Sequence, residues 1–238
     1  MNILEIYRKY QIMPQLAEHQ LKVAAVADVI CKHITRGMDA ELLQPLNNAE
    51  KEIKIDQENI IKACLLHDMG NIVKFDLTKA QELYPELFIK SEERAFWENV
   101  KQEFIEKYGS ISHQATDGIL KETGVSNRIL ELVDGVGFDQ AVDNLQSEDF
   151  GKKICAYSDM RVGPKGVISL EERFADLRVR YKSHPEGAQN REVFEDALRQ
   201  IEQQIFERCK IRPEAITEDG VKDRVEKLKE FEISTVIS

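Results

Sequence analysis

An apolar run at residues 60–66 ends abruptly in His67 and Asp68, and Gly70 follows two residues later. A run of this kind belongs in a protein core, so it brings an imidazole and a carboxylate to the edge of that core. Burying a carboxylate without a partner is costly, so a cation or a set of hydrogen-bond donors should meet it. The pair alone is compatible with a divalent-metal site, but it fits better a capped helix end that carries a hydrogen-bonded core histidine.

The rest of the chain shows helical spacing of apolar residues almost everywhere, without strand-like alternation or repeats. We therefore predict an all-α fold with one main domain. Pro14 is placed to begin one helix and Asp56 to cap another. We expect Gly70 to end the second helix in a left-handed conformation. Further helices are predicted at residues 92–108, 110–124, 126–134, 147–160, 169–181, 191–209 and 218–231.

Composition limits the classes of function. The chain has 238 residues, and its 43 acidic and 33 basic residues leave a formal net charge of -10, which argues against broad nucleic-acid binding. It has neither a membrane-length apolar span nor a signal-peptide pattern at its start, so we expect a cytoplasmic protein without membrane association. The four cysteines are far apart and are predicted to be free, mostly buried thiols.

Predicted helices carry further residues that can bind metals. His19 lies early in the first long helix, Asp159 ends a later one, and His113 lies on a helix between them. Imidazole and carboxylate ligands without thiolate suit zinc, manganese, iron, cobalt or nickel. Structural zinc usually draws on cysteine, so this set indicates a catalytic site with coordination positions left for water or substrate.

In residue type and order, this pattern resembles the HD superfamily of metal-dependent phosphohydrolases. The segments that carry the resemblance are AEHQLKVAAVA with His19, KACLLHDMGN with His67 and Asp68, and KICAYSDMRVG with Asp159. The segment SHQATDGILKETG, which contains His113, is similar to an additional helix of many members. The resemblance implies an HD-type helical domain over residues 1–185, with residues 186–238 as a C-terminal helical extension packed on it.

The resemblance also implies a ligand set. His19, His67, Asp68 and Asp159 would bind one metal ion, and His113 would serve a second ion or contact a substrate phosphate. Members with two metals usually carry a further histidine on the next helix, but that helix here reads ILELVDGVGF. Asp134 within it is an alternative oxygen ligand, although a capping or surface role is the simpler interpretation.

The implied reaction is hydrolysis of a phosphoester or phosphoanhydride in a nucleotide or another small phosphorylated metabolite. A metal-activated water would be the nucleophile, and Asp68 would orient it as the catalytic carboxylate. Developing charge on phosphorus needs cations. The sequence candidates for substrate binding are Lys22, Lys74 and Arg161, together with His113.

Each cation also has an ordinary interpretation. For Arg161, phosphate binding and a surface ion pair are equally favoured interpretations. For Lys22 and Lys74, a solvated lysine is favoured over a phosphate ligand. The later cluster of Lys165, Arg173, Arg178 and Arg180 is expected to pair largely with Glu171, Glu172 and Asp176 at helical spacing. Two other functions remain open: a catalytically silent module that senses a nucleotide or metabolite, and a di-iron oxygenase. Self-association through the last two helices is a further expectation.

Overall fold

The computed structural model describes residues 1–34, 54–78, 82, 91–180 and 188–234. Helices make up most of this part of the chain, as the sequence predicts. The helices, numbered in chain order, are α1 (Ile3–Lys9), α2 (Pro14–His33), α3 (Gln57–Leu66), α4 (Ser91–Tyr108), α5 (Ser112–Thr123), α6 (Asn127–Asp134), α7 (Ala141–Gln146), α8 (Phe150–Met160), α9 (Leu170–Arg180), α10 (Ala188–Phe206) and α11 (Glu218–Leu228). Short 3₁₀ turns occur at Asn71–Lys74, Phe138–Gln140 and Pro213–Ala215, and a two-stranded hairpin joins β1 (Val162–Gly163) to β2 (Gly166–Val167).

Helices α2, α3 and α8 pack against one another at the centre of the fold, and α6 also contacts α3. Every residue from 60 to 66 in α3 is buried, which confirms the core position predicted for that run. Lys62 lies within it, and its ammonium group reaches Glu58 at 2.6 Å. Because α3 is covered on several sides, the residues that follow it emerge directly from the core.

Local sequence accounts for most helix ends. Asp56 caps α3 by accepting a hydrogen bond from the amide of Asn59 at 3.2 Å, as predicted. Gly109 and Gly124 end α4 and α5 with positive φ angles of 88° and 68°, conformations that glycine adopts without a Cβ penalty. Ser169 and Glu172 form the reciprocal capping contacts predicted at the start of α9.

Three local predictions are wrong. Gly70 has φ −97°, so it does not end α3 in a left-handed conformation. The helix predicted over residues 147–160 begins three residues later than expected, because Asp149 caps it at Phe150 by accepting from the amides of Gly151 and Lys152. Ser110 does not cap α5, whose N-cap is Ile111.

The C-terminal helices pack on the preceding ones. Helix α10 contacts α7 and α8, and α11 contacts α2. Arg224 of α11 pairs with the buried carboxylate of Asp28 in α2. The backbone also closes between the termini, with the amide of Ile3 donating to the carbonyl of Phe231 at 2.9 Å. The predicted domain division at residue 185 falls outside the described residues and stays a prediction.

The structure confirms the prediction that the cysteines are thiols and mostly buried. Cys31, Cys64 and Cys155 are buried thiols and Cys209 is a partly buried thiol, with no disulfide among the four. Within the described ranges, no helix has both the length and the apolar character needed to cross a membrane.

Candidate metal centre

Three separate segments bring the predicted ligands to one place. His19 lies in the second turn of α2, and Asp159 lies in the last turn of α8. His67 is the C-cap of α3 and keeps a right-handed helical conformation, so Asp68 follows as the chain leaves the helix. The packing of α2, α3 and α8 therefore assembles residues that are far apart in sequence.

His19, His67 and Asp68 lie close enough to share one ion, and Asp159 contacts the two histidines. Asp159 Oδ1 lies 2.9 Å from His19 Nε2 and 3.3 Å from His67 Nε2. The carboxylate of Asp68 lies 3.7 Å from each of the same two nitrogens. Around a single ion with bonds of about 2.1 Å, neighbouring ligand atoms are roughly 3 to 4 Å apart. His19, His67 and Asp68 offer ligand atoms that all lie within 4.8 Å of one another, so this group could hold a metal.

The imidazole of His67 is oriented by a backbone carbonyl so that its Nε2 is the nitrogen left for a metal. Its Nδ1 lies 2.8 Å from the carbonyl oxygen of Cys64. A carbonyl only accepts, so Nδ1 carries the proton and Nε2 of the neutral ring has a free lone pair. The side chain is 2% exposed, and among the described residues Nε2 has no hydrogen-bond partner. A buried imidazole with its second nitrogen fixed by a carbonyl is a typical metal ligand.

The charges of the cluster favour a cation. Burial alone would lower the pKa of His67, but Asp68 and then Asp159 outweigh it and raise that pKa to about 9. Burial acts to raise the pKa of Asp159, and its contacts with His19 and His67 hold it well below the usual range instead. Two carboxylates thus stabilise positive charge between the histidines, whether a proton or a metal ion supplies it.

Residues that sequence reasoning missed support the segment around Asp68. Gln20 accepts a hydrogen bond at 3.0 Å from the amide of Asp68 through its Oε1. Thr116 Oγ1 accepts one at 3.0 Å from the amide of Gly70. A Cβ on Gly70 would lie 2.4 Å from the amide nitrogen of Thr116 and 2.6 Å from Ala115 Cβ, so α5 approaches as closely as only glycine allows. The sequence contains one indication of this role: Gln20 is a polar residue next to His19 on a helix face that is otherwise apolar.

Tyr7 is a second residue that sequence reasoning missed. Its hydroxyl donates to the carbonyl of Leu65 at 2.6 Å, two residues before His67. Burial, followed by the nearby Asp68, raises the pKa of Tyr7 well above its ordinary value, so the phenol remains a neutral donor.

Arg161 does not form the phosphate-binding fork that the sequence suggested. Its side chain is buried, and its N–H groups donate to the carbonyls of Ile168, Pro213 and Ile216 and to the hydroxyl of Tyr157. The alternative of a surface ion pair is also wrong. Arg161 instead joins the end of α8 to the hairpin and the C-terminal segment.

The two predicted lysines differ in their surroundings. The ammonium of Lys22 lies between two carboxylates, 2.9 Å from Glu18 and 2.7 Å from Glu218 of α11. Burial would lower the pKa of Lys22, but these two contacts raise it. Lys74 ends the 3₁₀ turn after the doublet and is exposed.

His113 and Asp134 form a surface pair. His113 Nε2 lies 3.3 Å from Asp134 Oδ1, and both side chains are about 60% exposed, at 61% and 59%. The pairing places the alternative second-metal residues together, although outside the buried cluster. A polar cavity of about 260 Å³ beside them is lined by Asp134, Gly135, Gln140, Asp143, Asn144, Ser147 and Lys152.

The basic cluster after the site is paired in large part within the protein. Arg173 and Arg180 both contact Asp176, at 3.1 Å and 2.6 Å, as the helical spacing predicted. Arg178 instead pairs with Glu195 of α10. These arginines tie α9 to itself and to α10.

Comparison with known proteins adds one match. The family model of the HD domain matches residues 16–154, which is more than half of the chain and includes His19, His67 and Asp68. Asp159 lies five residues beyond the matched range. Comparisons with curated proteins and with solved structures gave no match.

Proposed function

Because the chain belongs to the HD domain family, we propose that it is a metal-dependent phosphohydrolase. Its substrate would be a nucleotide or another small phosphorylated metabolite. The observation that carries this proposal is the convergence of His19, His67 and Asp68, with the buried Nε2 of His67 facing the carboxylates of Asp68 and Asp159. A buried nitrogen lone pair beside two carboxylates is costly unless a cation or proton meets it.

His19, His67, Asp68 and Asp159 would hold one divalent ion, which we propose to be manganese, iron, zinc, cobalt or nickel. A metal of this class lowers the pKa of water to about 7 and polarises a phosphoryl oxygen. A second ion would use His113, with Asp134 beside it.

The protein's own groups would then orient the reactants. Asp68 has a side chain that is 17% exposed, so it can reach both the ligand cluster and solvent. We propose that it orients the attacking water and takes up its proton. Lys74 is the predicted cation that is free to approach a phosphate, since it is exposed and follows the doublet closely. Lys22 would have to leave Glu18 or Glu218 to do so.

One observation favours a second candidate. Of the cations predicted to bind phosphate, Arg161 is bound to carbonyls and Lys22 to carboxylates, which leaves few to neutralise a transition state. A catalytically silent HD module that holds a metal and senses a nucleotide fits this arrangement. Such a module would bind the nucleotide, be stabilised by it and release it unchanged.

Elemental analysis of the untagged, chelator-free protein tests the metal centre. We expect about one equivalent of a first-row divalent metal in the wild type and loss of it in His67→Ala. His33→Ala is the matched control, because His33 Nδ1 also bonds a backbone carbonyl, that of Val29 at 2.8 Å, at the far end of α2. No metal after reconstitution would refute the centre, and two equivalents of iron would support the di-iron alternative.

A phosphate-release screen with that metal tests turnover. We expect wild-type protein to release phosphate from a nucleotide and Asp68→Asn to lose at least a hundredfold in kcat. Asp143→Asn, an exposed change on α7, should keep full activity. Metal binding with tight, unproductive nucleotide binding would instead establish the sensing module.

A further inference from the structure

Gln20 connects two of the segments that form the metal centre. It lies next to His19 on α2, its side chain is fully buried, and its Oε1 accepts a hydrogen bond at 3.0 Å from the amide of Asp68. A side chain on α2, the helix that carries His19, thus bonds the main chain at Asp68.

This contact comes at the point where α3 no longer fixes the backbone. The helix ends at Leu66, and the next amides bond within a turn, with Met69 donating to Leu66 at 3.4 Å and Asn71 to Asp68 at 3.0 Å. Within the described part of the chain, the amide of Asp68 donates its hydrogen bond to Gln20. The position of Asp68 relative to α2 therefore depends on this carboxamide.

The side-chain nitrogen of Gln20, Nε2, indicates that this residue does more than stabilise the fold. The Asp68 amide is a donor, so the carboxamide oxygen must face it and Nε2 must face the other way. Within the described part of the chain, Nε2 is buried and has no hydrogen-bond partner. A buried donor without a partner costs stability, and an apolar side chain of similar length would avoid that cost.

We propose that Gln20 is a positioning residue that holds Asp68 in register with His19 and so sets the affinity of the centre for its metal ion. The inference rests on the proposed function, because it presupposes a cation between these residues. Groups that orient metal ligands through hydrogen bonds typically contribute a factor of about 10 to 100 in metal affinity. Gln20 fits that role without touching the ion.

The test is titration calorimetry of the purified, metal-free full chain with Mn²⁺. Gln20→Met keeps the length of the side chain and removes the acceptor, and we expect Mn²⁺ affinity to fall by about 10- to 100-fold. Gln20→Glu keeps an acceptor for the Asp68 amide, and we expect it to bind Mn²⁺ at least as tightly as the wild type.

Thr123→Val is the matched control for a buried polar change elsewhere. Thr123 is buried in α5 and its hydroxyl donates to the carbonyl of Leu120 at 2.6 Å. We expect this variant to change the thermal midpoint of the metal-free protein while leaving Mn²⁺ affinity unchanged. The thermal midpoints of both Gln20 variants, measured without metal, confirm that each is folded before titration.

Two outcomes would overturn the proposal and leave the proposed function intact. One is wild-type Mn²⁺ affinity in Gln20→Met while His67→Ala abolishes binding. The other is equal weakening in Gln20→Met and Gln20→Glu, which would mean that the shape of glutamine matters and the acceptor does not. Failure of the wild type to bind Mn²⁺, Fe²⁺ or Zn²⁺ would overturn the metal centre itself, and with it the role of Gln20.

Discussion

At the scale of single residues, the chemistry of the candidate centre depends on which side-chain atoms already form hydrogen bonds within the fold. His67 uses Nδ1 on a carbonyl and directs Nε2 toward the carboxylates of Asp68 and Asp159, whereas Arg161 donates its N–H groups to carbonyls and a hydroxyl. Both side chains looked functional in the sequence. Hydrogen-bond partners separate them, because a residue whose polar atoms are satisfied by the fold has little left for a substrate.

Gly70 gives a prediction at this scale. Gly70→Ala would place a Cβ 2.4 Å from the backbone nitrogen of Thr116, and backbone cannot yield as a flexible side chain can. We expect the free energy of unfolding to fall by about 1–3 kcal/mol, the usual cost of overpacking. Urea denaturation measures this loss.

Gly118→Ala is the control for that change. Gly118 lies within α5, and its added Cβ would meet the ring of Tyr108 at 3.0 Å, a side chain able to shift. The gain in helix propensity, about 1 kcal/mol, should offset that contact and leave stability near the wild-type value. Equal stability of Gly70→Ala and the wild type would show that α5 does not pack as closely as described.

At the scale of elements, helix α8 carries Asp159 and begins at a charged cap, Asp149. Asp149 accepts from the amides of Gly151 and Lys152 and pairs with both terminal nitrogens of Arg128 of α6, at 2.7 and 2.8 Å. The contact with Arg128, opposed by burial, lowers the pKa of Asp149 below its ordinary value. The start of α8 is therefore held by an ionised carboxylate.

The sign of the pH dependence follows from that lowered pKa. The stabilisation by Asp149 is present above its unfolded-state pKa of about 3.9 and is lost as pH falls through the lower folded-state value. We expect Asp149→Asn to lower the free energy of unfolding by about 1 kcal/mol at pH 7, since both partners are partly exposed. Below pH 4 the difference from the wild type should shrink.

Urea denaturation at pH 7 and near pH 3 measures this difference, and Asp143→Asn serves as an exposed control. Wild-type stability of Asp149→Asn at pH 7 would mean that the cap geometry, which asparagine also provides, carries the effect and the charge does not.

At the scale of the whole molecule, Arg161 links parts that are distant in sequence. It joins the end of α8 to the hairpin through Ile168 and to the segment before α11 through Pro213 and Ile216. The same α11 reaches α2 through Arg224 and Asp28. The C-terminal region is thereby attached to both α2, which carries His19, and α8, which carries Asp159.

We expect Arg161→Met to lower the free energy of unfolding by about 3 kcal/mol or more, because several buried acceptors lose a charged donor together. Limited proteolysis should cut the region after α10 earlier than in the wild type. Arg212→Met, an exposed change in the same region, should alter neither result. Wild-type stability with a raised KM for a phosphorylated substrate would restore the phosphate-binding role that the sequence suggested.

The sequence by itself determined the helical class and most helix ends, as well as the order of His19, His67, Asp68 and Asp159. These follow from local rules, since apolar spacing, capping side chains and glycine termini act within a few residues of themselves. The sequence could not determine which polar atoms already form hydrogen bonds within the fold. The burial of Arg161, the support of Asp68 by Gln20 and the close approach of α5 to Gly70 involve partners tens of residues away. Only tertiary packing brings such partners within hydrogen-bond or van der Waals distance, and so only the folded structure decides which polar groups remain free for a ligand.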